Sequence, residues 1–110
     1  MIDDTLGKIE SSIQDANSIT PERKQELLKL VGRLKSEVGQ LSTTHGEQAR
    51  RIADYTQAST QQATSDQKDD KVLESSLEDL RSSVREFETS HPRLAQIVSA
   101  ISHQLSNLGI

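Results

Sequence analysis

The sequence predicts an all-α fold: an elongated antiparallel helical hairpin, preceded by a short helix and packed as a coiled-coil-like bundle. Apolar residues recur at alternating steps of four and three positions, which is the spacing of a helix that packs on other helices. The 110 residues are 32% hydrophobic and include only Phe87 and Tyr55 as aromatics, too few to fill a thick core. The composition therefore suits one thin helical domain over residues 1–110 rather than a sandwich or a barrel.

Charge and cysteine content narrow the class of protein. Lys and Arg number 13 against 17 Asp and Glu, a formal net charge of -4, so we expect no nucleic-acid partner, which would need a basic face. Cysteine is absent, which excludes disulfides and thiolate metal sites. The first residues lack the pattern of a signal peptide, and no segment has the apolar length of a membrane span. We therefore expect a cytoplasmic protein.

The sequence predicts two helices at its start, and residues typical of a helix N-terminus mark where the second one begins. Ile2, Leu6 and Ile9 begin a four-three stripe that predicts a helix over about residues 2–17. Thr20 and Pro21 then predict a new helix. The threonine hydroxyl can accept a hydrogen bond from a free backbone N–H, and proline is favoured at the first helical position.

One apolar register then continues unusually far and predicts a helix over about residues 21–64. It is apolar from Leu27 to Leu41 and more polar from His45 onward. Three glycines lie within it, and each weakens a helix by about 1 kcal/mol relative to alanine. A break near residues 42–46 is therefore left open, although the unbroken phase favours one continuous helix.

The return arm consists of two apolar runs separated by Ser90-His91-Pro92, and predicts helices over about residues 70–89 and 92–108. The polar segment before it can supply both a turn and a helix cap. At about 1.5 Å per residue, the outgoing and returning arms are each roughly 60 Å long. The matched lengths predict a hairpin in which Leu41 lies beside Leu94 and Leu27 beside Leu108.

The last helix is the candidate oligomer interface. It contains no Lys, Arg, Asp or Glu from Leu94 to Leu108, and its apolar stripe is wide enough to need cover on more than one side. Because a two-helix stalk buries little surface, we expect a homo-oligomer, with a dimer favoured. Gly109 suits the position that closes the helix. The candidate interface residues are Leu94, Ile97, Val98, Ile101, Leu105 and Leu108.

A structural role competes with a chemical one at each candidate residue. Glu88 and His91 have the Glu-x-x-His spacing of some metal-binding bundles, but the second copy that such sites need is missing. Pro92 disfavours helical geometry at His91, which favours a role at the helix boundary. His45 lies at a core position that the hairpin brings near His91, so a pH-sensitive pair is an alternative to a solvated histidine. We expect no catalytic residue and no cofactor.

The C-terminal part of the chain resembles a known family. Phe87-Glu88-Thr89-Ser90-His91-Pro92-Arg93-Leu94, followed by a helix ending in Leu105-Ser106-Asn107-Leu108-Gly109-Ile110, is similar to the signature of a family of small bacterial proteins. That family is catalogued as domain of unknown function 4404, and residues 21–38 resemble its first long helix. The resemblance implies a small helical protein and assigns no activity.

These observations predict binding rather than catalysis. We expect a non-enzymatic interaction or structural protein that self-associates through its C-terminal helix, with an unidentified protein as a further partner. A peripheral membrane-surface protein is the alternative, and it ranks lower because the last helix lacks the Lys, Arg and Trp that favour a lipid surface. A metal-binding helical protein that uses His45, His91 and Glu88 ranks below both.

Overall fold

Five α-helices build the structure, a computed structural model that describes residues 2–67 and 69–108. One turn of 3-10 helix, Arg85–Phe87, precedes the last helix, and the described residues contain no strand. The predicted all-α fold is confirmed. The helices are α1 (Ile2–Asp15), α2 (Pro21–Ser42), α3 (Gly46–Thr64), α4 (Asp70–Val84) and α5 (Pro92–Leu108).

Two helix starts follow directly from local chemistry. The Thr20 hydroxyl oxygen accepts a hydrogen bond of 3.3 Å from the backbone N–H of Arg23, and Pro21 is the first residue of α2. A proline costs nothing there, because the first N–H groups of a helix have no partner within it. Asp69 caps α4 in the same way, since its carboxylate accepts a hydrogen bond of 2.9 Å from the N–H of Lys71.

Helices α2 to α5 form an up-down-up-down four-helix bundle. Each packs against the next in chain order, and α5 closes the ring by packing against α2. Between α5 and α2, the Gln104 amide donates a hydrogen bond of 3.1 Å to the Glu26 carboxylate. Helix α1 lies outside this ring and packs against both α2 and α3. Helix α3 is thus the only one of the five that contacts all the others.

The core is built from the four-three stripes of all five helices. Among the described residues, Val72 is the exposed large apolar side chain, at 47%. Fully burying a leucine or isoleucine contributes about 1.5–3 kcal/mol, so the stripes supply the main stabilising term. Helix α3 differs from the others because most of its buried residues are small or polar: Ala49, Ala53, Thr56, Ser59, Thr60 and Ala63.

The elongated shape needs correction. The predicted arms would each be roughly 60 Å long, whereas the molecule measures 37 × 24 × 22 Å. The helix predicted over residues 21–64 ends at Ser42 and restarts at Gly46, so the break that the sequence left open is present. The helix predicted over residues 70–89 ends as an α-helix at Val84. We call residues 43–45 the first bend and residues 85–91 the second bend.

Side-chain hydroxyls explain why α2 stops at the first bend. The Ser42 hydroxyl donates to the Gly39 carbonyl (2.7 Å), and the Thr43 hydroxyl donates to the Gln40 carbonyl (2.8 Å). Such bonds compete for the carbonyls that would otherwise continue the helix. Bending also lets the two arms cover each other's apolar stripes, which a two-helix stalk would leave largely in water. The hairpin therefore folds back on itself into a bundle.

Candidate functional site

The two bends lie at the same end of the bundle and meet through aromatic side chains. The ring centroid of Phe87 is 5.3 Å from that of His45 and 5.6 Å from that of His91, and both pairs are edge-to-face. The two imidazole centroids are 6.5 Å apart. The expected proximity of His45 and His91 is therefore observed. We call these three residues the bend cluster.

The two histidines occupy equivalent places in the backbone. The N–H of each donates a hydrogen bond of 2.7 Å to the carbonyl four residues earlier, that of Leu41 for His45 and that of Phe87 for His91. The His45 carbonyl accepts a hydrogen bond of 2.9 Å from the N–H of Ala49, and the His91 carbonyl accepts one of 3.3 Å from the N–H of Ala95. Each histidine therefore joins the end of one helix to the start of the next.

Each imidazole is also held by the hydroxyl of the preceding residue. The Nδ1 atom of His45 lies 2.8 Å from the Thr44 hydroxyl, and that of His91 lies 3.0 Å from the Ser90 hydroxyl. The cluster thus combines two imidazoles with one apolar ring. Across residues 2–67 and 69–108, no group of three or more His, Asp and Glu side chains is arranged to hold a metal ion.

The structure places the candidate interface residues of α5 largely inside the chain's own core. Leu94, Val98, Ile101 and Leu105 are at most 1% exposed, and Leu108 is 9% exposed. The half-buried Ile97 packs against this core. Helices α2, α3 and α4 cover the stripe. The predicted hairpin places α2 there, and α3 and α4 of the same chain provide the further cover that we expected from a second copy.

The outward face of α5 is the part that a second molecule can reach in the closed bundle. Gln96, Ser99 and His103 are exposed there, and Ala100 is half-exposed. The sequence already places His103 off the apolar seam, which favours a surface or interface role, and Ala100 in the widened stripe, but it does not single out this face as a whole. Pro92 is the first residue of α5, while Gly109 lies outside the described residues.

An internal repeat explains why the two bends are equivalent. The segment Thr43-Thr44-His45-Gly46 matches Thr89-Ser90-His91-Pro92, 46 residues further along the chain. With the same offset of 46 residues, the core positions of α2 correspond in sequence to those of α4. The hairpin interpretation hid this repeat, because it compares the arms in opposite chain directions. The matched core positions are Leu27, Val31, Leu34 and Val38 in α2 with Leu73, Leu77, Leu80 and Val84 in α4.

Comparison with known proteins identifies the family. A family model described as Domain of unknown function (DUF4404) matches residues 27–110, which is more than half of the chain. The chain belongs to the DUF4404 family. The DUF4404 match runs through both bends and the polar middle of the sequence, and leaves α1 and the start of α2 outside it. No curated protein and no solved structure matches this DUF4404 chain.

The described helices also bear on contact with membranes. None of those within residues 2–67 and 69–108 combines the length and the apolar content needed to cross a bilayer.

Proposed function

We propose that this DUF4404 protein is a non-enzymatic binding protein of the bacterial cytoplasm that forms a homodimer through the outward face of α5. The supporting observation is that α5 carries no charged residue from Leu94 to Leu108, whereas each of the other four helices carries several. Charged residues are depleted at the centres of protein interfaces, because burying an unpaired charge costs several kcal/mol. A second copy can therefore cover α5 without that cost.

The side chains on this face suit close contact between two helices. Ser99 and Ala100 are small and lie near the middle of α5, so they allow a second backbone to approach. On either side, Gln96 and His103 can form hydrogen bonds across the contact. The His103 ring already lies 3.3 Å from the Asn107 amide, Nε2 to Nδ2. In a two-fold dimer the same small residues of both copies meet at the centre.

The rim of this face is polar. The groove between α5 and α2 is lined by Arg33, Ser36, Glu37, Arg93, Gln96 and Ile97. An uncharged centre with a charged rim is the usual composition of an interface between folded subunits. In this proposal the apolar stripe of α5, which the sequence predicts as the interface, packs in the core of its own chain. The contact with the second copy is made by polar and small side chains.

The test places a charge at the centre of the proposed contact. Ser99→Arg adds an unpaired charge to the outward face of α5, and Ser75→Arg adds the same charge to the outward face of α4, where the serine is also exposed. We expect Ser99→Arg to convert the dimer to a monomer and Ser75→Arg to leave it intact. Sedimentation equilibrium measures both masses. A wild-type monomer at every concentration, or a dimer that survives Ser99→Arg, would refute the proposal.

A further inference from the structure

We propose that the bundle can open at its two bends and exchange halves with a second copy of the chain. One half consists of α1, α2 and α5, and the other of α3 and α4. The chain passes between these halves at the first bend and at the second bend. This exchange is distinct from the dimer through the α5 face and does not depend on it.

The first bend needs little change to become helical. Thr43 already has helical dihedral angles (φ -68°, ψ -27°), whereas His45 does not (φ -133°, ψ 61°). The N–H of His45 bonds to the residue four positions before it, and its carbonyl to the residue four positions after it, which is the helical pattern on both sides. Rotation about the dihedral angles near His45 therefore joins α2 and α3 into one helix.

The core register continues across this opening. The positions Leu41, His45, Gln48 and Ile52 keep the four-three spacing through the first bend. In an open chain, the buried faces of α2 and α3 therefore lie along one line. The second copy presents the same surfaces as the half that has moved away, so each apolar face that opening exposes is buried again between chains.

The second bend acts as a proline hinge. Glu88 has helical dihedral angles (φ -58°, ψ -36°), and the N–H of His91 bonds to the Phe87 carbonyl. Pro92 has no N–H and disfavours helical geometry at His91, so this bend opens to two helices with a kink between them rather than to one continuous helix. Exchange requires the halves to part and does not require a straight arm. Because the bend cluster holds both bends side by side, they can open together.

A pair of introduced cysteines distinguishes the closed chain from the exchanged dimer. Ser106 of α5 and Glu74 of α4 belong to different halves and lie far from the bends, with the hydroxyl 3.4 Å from the carboxylate. The chain has no cysteine of its own, so Glu74→Cys with Ser106→Cys forms the only pair. A direct disulfide would be too short, because the 3.4 Å contact is made by the far end of the glutamate side chain. A short bismaleimide linker replaces that reach. It joins the two cysteines within one chain in the monomer and in the α5-face dimer, but between chains in the exchanged dimer.

Two substitutions at Gly46 should shift the balance between the closed and the open first bend in opposite directions. It is the first residue of α3, and an added Cβ would meet nothing within 4 Å. Gly46→Ala favours the open arm, where the position becomes helix interior. Gly46→Pro suits the closed bend, where it is a first helical residue after a non-helical His45, but it breaks a continuous helix. Gly39→Ala is the control, since it is equally unhindered and lies within α2.

The experiment refolds the full-length double-cysteine chain at increasing concentration, adds the linker, and measures the fraction of cross-link formed between chains. We expect this fraction to rise with concentration. The association constant of the exchanged dimer should be roughly tenfold higher for Gly46→Ala than for Gly39→Ala, because each exchanged dimer contains two altered bends. Gly46→Pro should be cross-linked only within the chain, which also shows that it folds. Cross-links only within the chain in all variants at every concentration would overturn the proposal.

Discussion

The two helix-bend-helix units share a bend and differ in their second helix. Helix α5 buries leucine, isoleucine and valine, whereas α3 buries mainly alanine, serine and threonine. The difference follows from what covers each helix. Helix α3 contacts all four other helices, while α5 does not contact α1. A helix packed on more sides has less room for each side chain. The helix with the most neighbours, α3, therefore has the smaller apolar side chains.

Buried hydroxyls are more numerous in α3 than in α5, where Ser102 carries one. In α3, Thr56 and Thr60 donate to the carbonyls four residues earlier, at 2.7 and 2.8 Å, so their burial is compensated within the helix. The hydroxyls of Ser59 and Ser102 are buried without a hydrogen-bond partner among the described residues. Such a group typically costs about 1–3 kcal/mol. Helix α3 therefore buries more hydroxyls and less apolar volume than α5.

Substitution at Leu105 and at Ser59 should give the largest difference in the free energy of unfolding between the two units. The two residues occupy the same place in the repeat and are both fully buried. Leu105→Ala leaves a cavity and should lower the free energy of unfolding by about 2–5 kcal/mol. Ser59→Ala removes an unpaired hydroxyl and should leave that energy unchanged or raise it by about 1 kcal/mol. Urea denaturation measures both. Equal losses would mean that α3 and α5 are packed alike.

A smaller difference is expected when side chains are enlarged. Ala49 in α3 is fully buried, and its repeat partner Ala95 in α5 is half-buried. Ala49→Leu should destabilise the fold by about 1–3 kcal/mol because the surrounding helices leave no room. Ala95→Leu should cost clearly less. Thermal and urea unfolding of the two variants give the comparison, and a tolerated Ala49→Leu would show that α3 is not closely packed.

The smallest expected effect concerns an exposed ion pair in the second unit. The Arg85 guanidinium lies 3.0 Å from the Glu78 carboxylate, and both side chains are more than half exposed. The first unit has Gly39 and Gly32 at these places. Arg85→Ala should cost about 0.2–1 kcal/mol, and the loss should shrink in high salt because ions screen exposed charges. Unfolding in low and high salt checks this, and a salt-independent loss would point to packing instead.

Features with local causes could be predicted from the sequence. The start of α2 depends on Thr20 and Pro21 alone, and the helical class depends on spacing within each segment. The first bend could not be located from periodicity, because Leu41, His45 and Ile52 keep their phase through it. The glycines in this segment leave a break open there without requiring one.

The predicted hairpin covers one side of α5 with α2, but the sequence could not show that α3 and α4 cover the rest. An apolar stripe such as Leu94 to Leu108 has the same pattern whether its own chain or a second copy buries it. Its burial depends on the shape of the whole chain, which the bends decide. The internal repeat was the available signal, since two similar arms with equivalent interruptions suggest that both bend at the same level.

Helix α1 has a consequence for the size of the assembly. The repeat gives the bundle two comparable flanks, and α1 seals only the one formed by α2 and α3. If α3 presented a bare outer surface as α5 does, each molecule could bind a neighbour on both flanks, and contacts that do not close on themselves extend into fibres. If the proposed α5-face dimer forms, α1 therefore leaves only the α5 flank open, and the assembly closes at two chains.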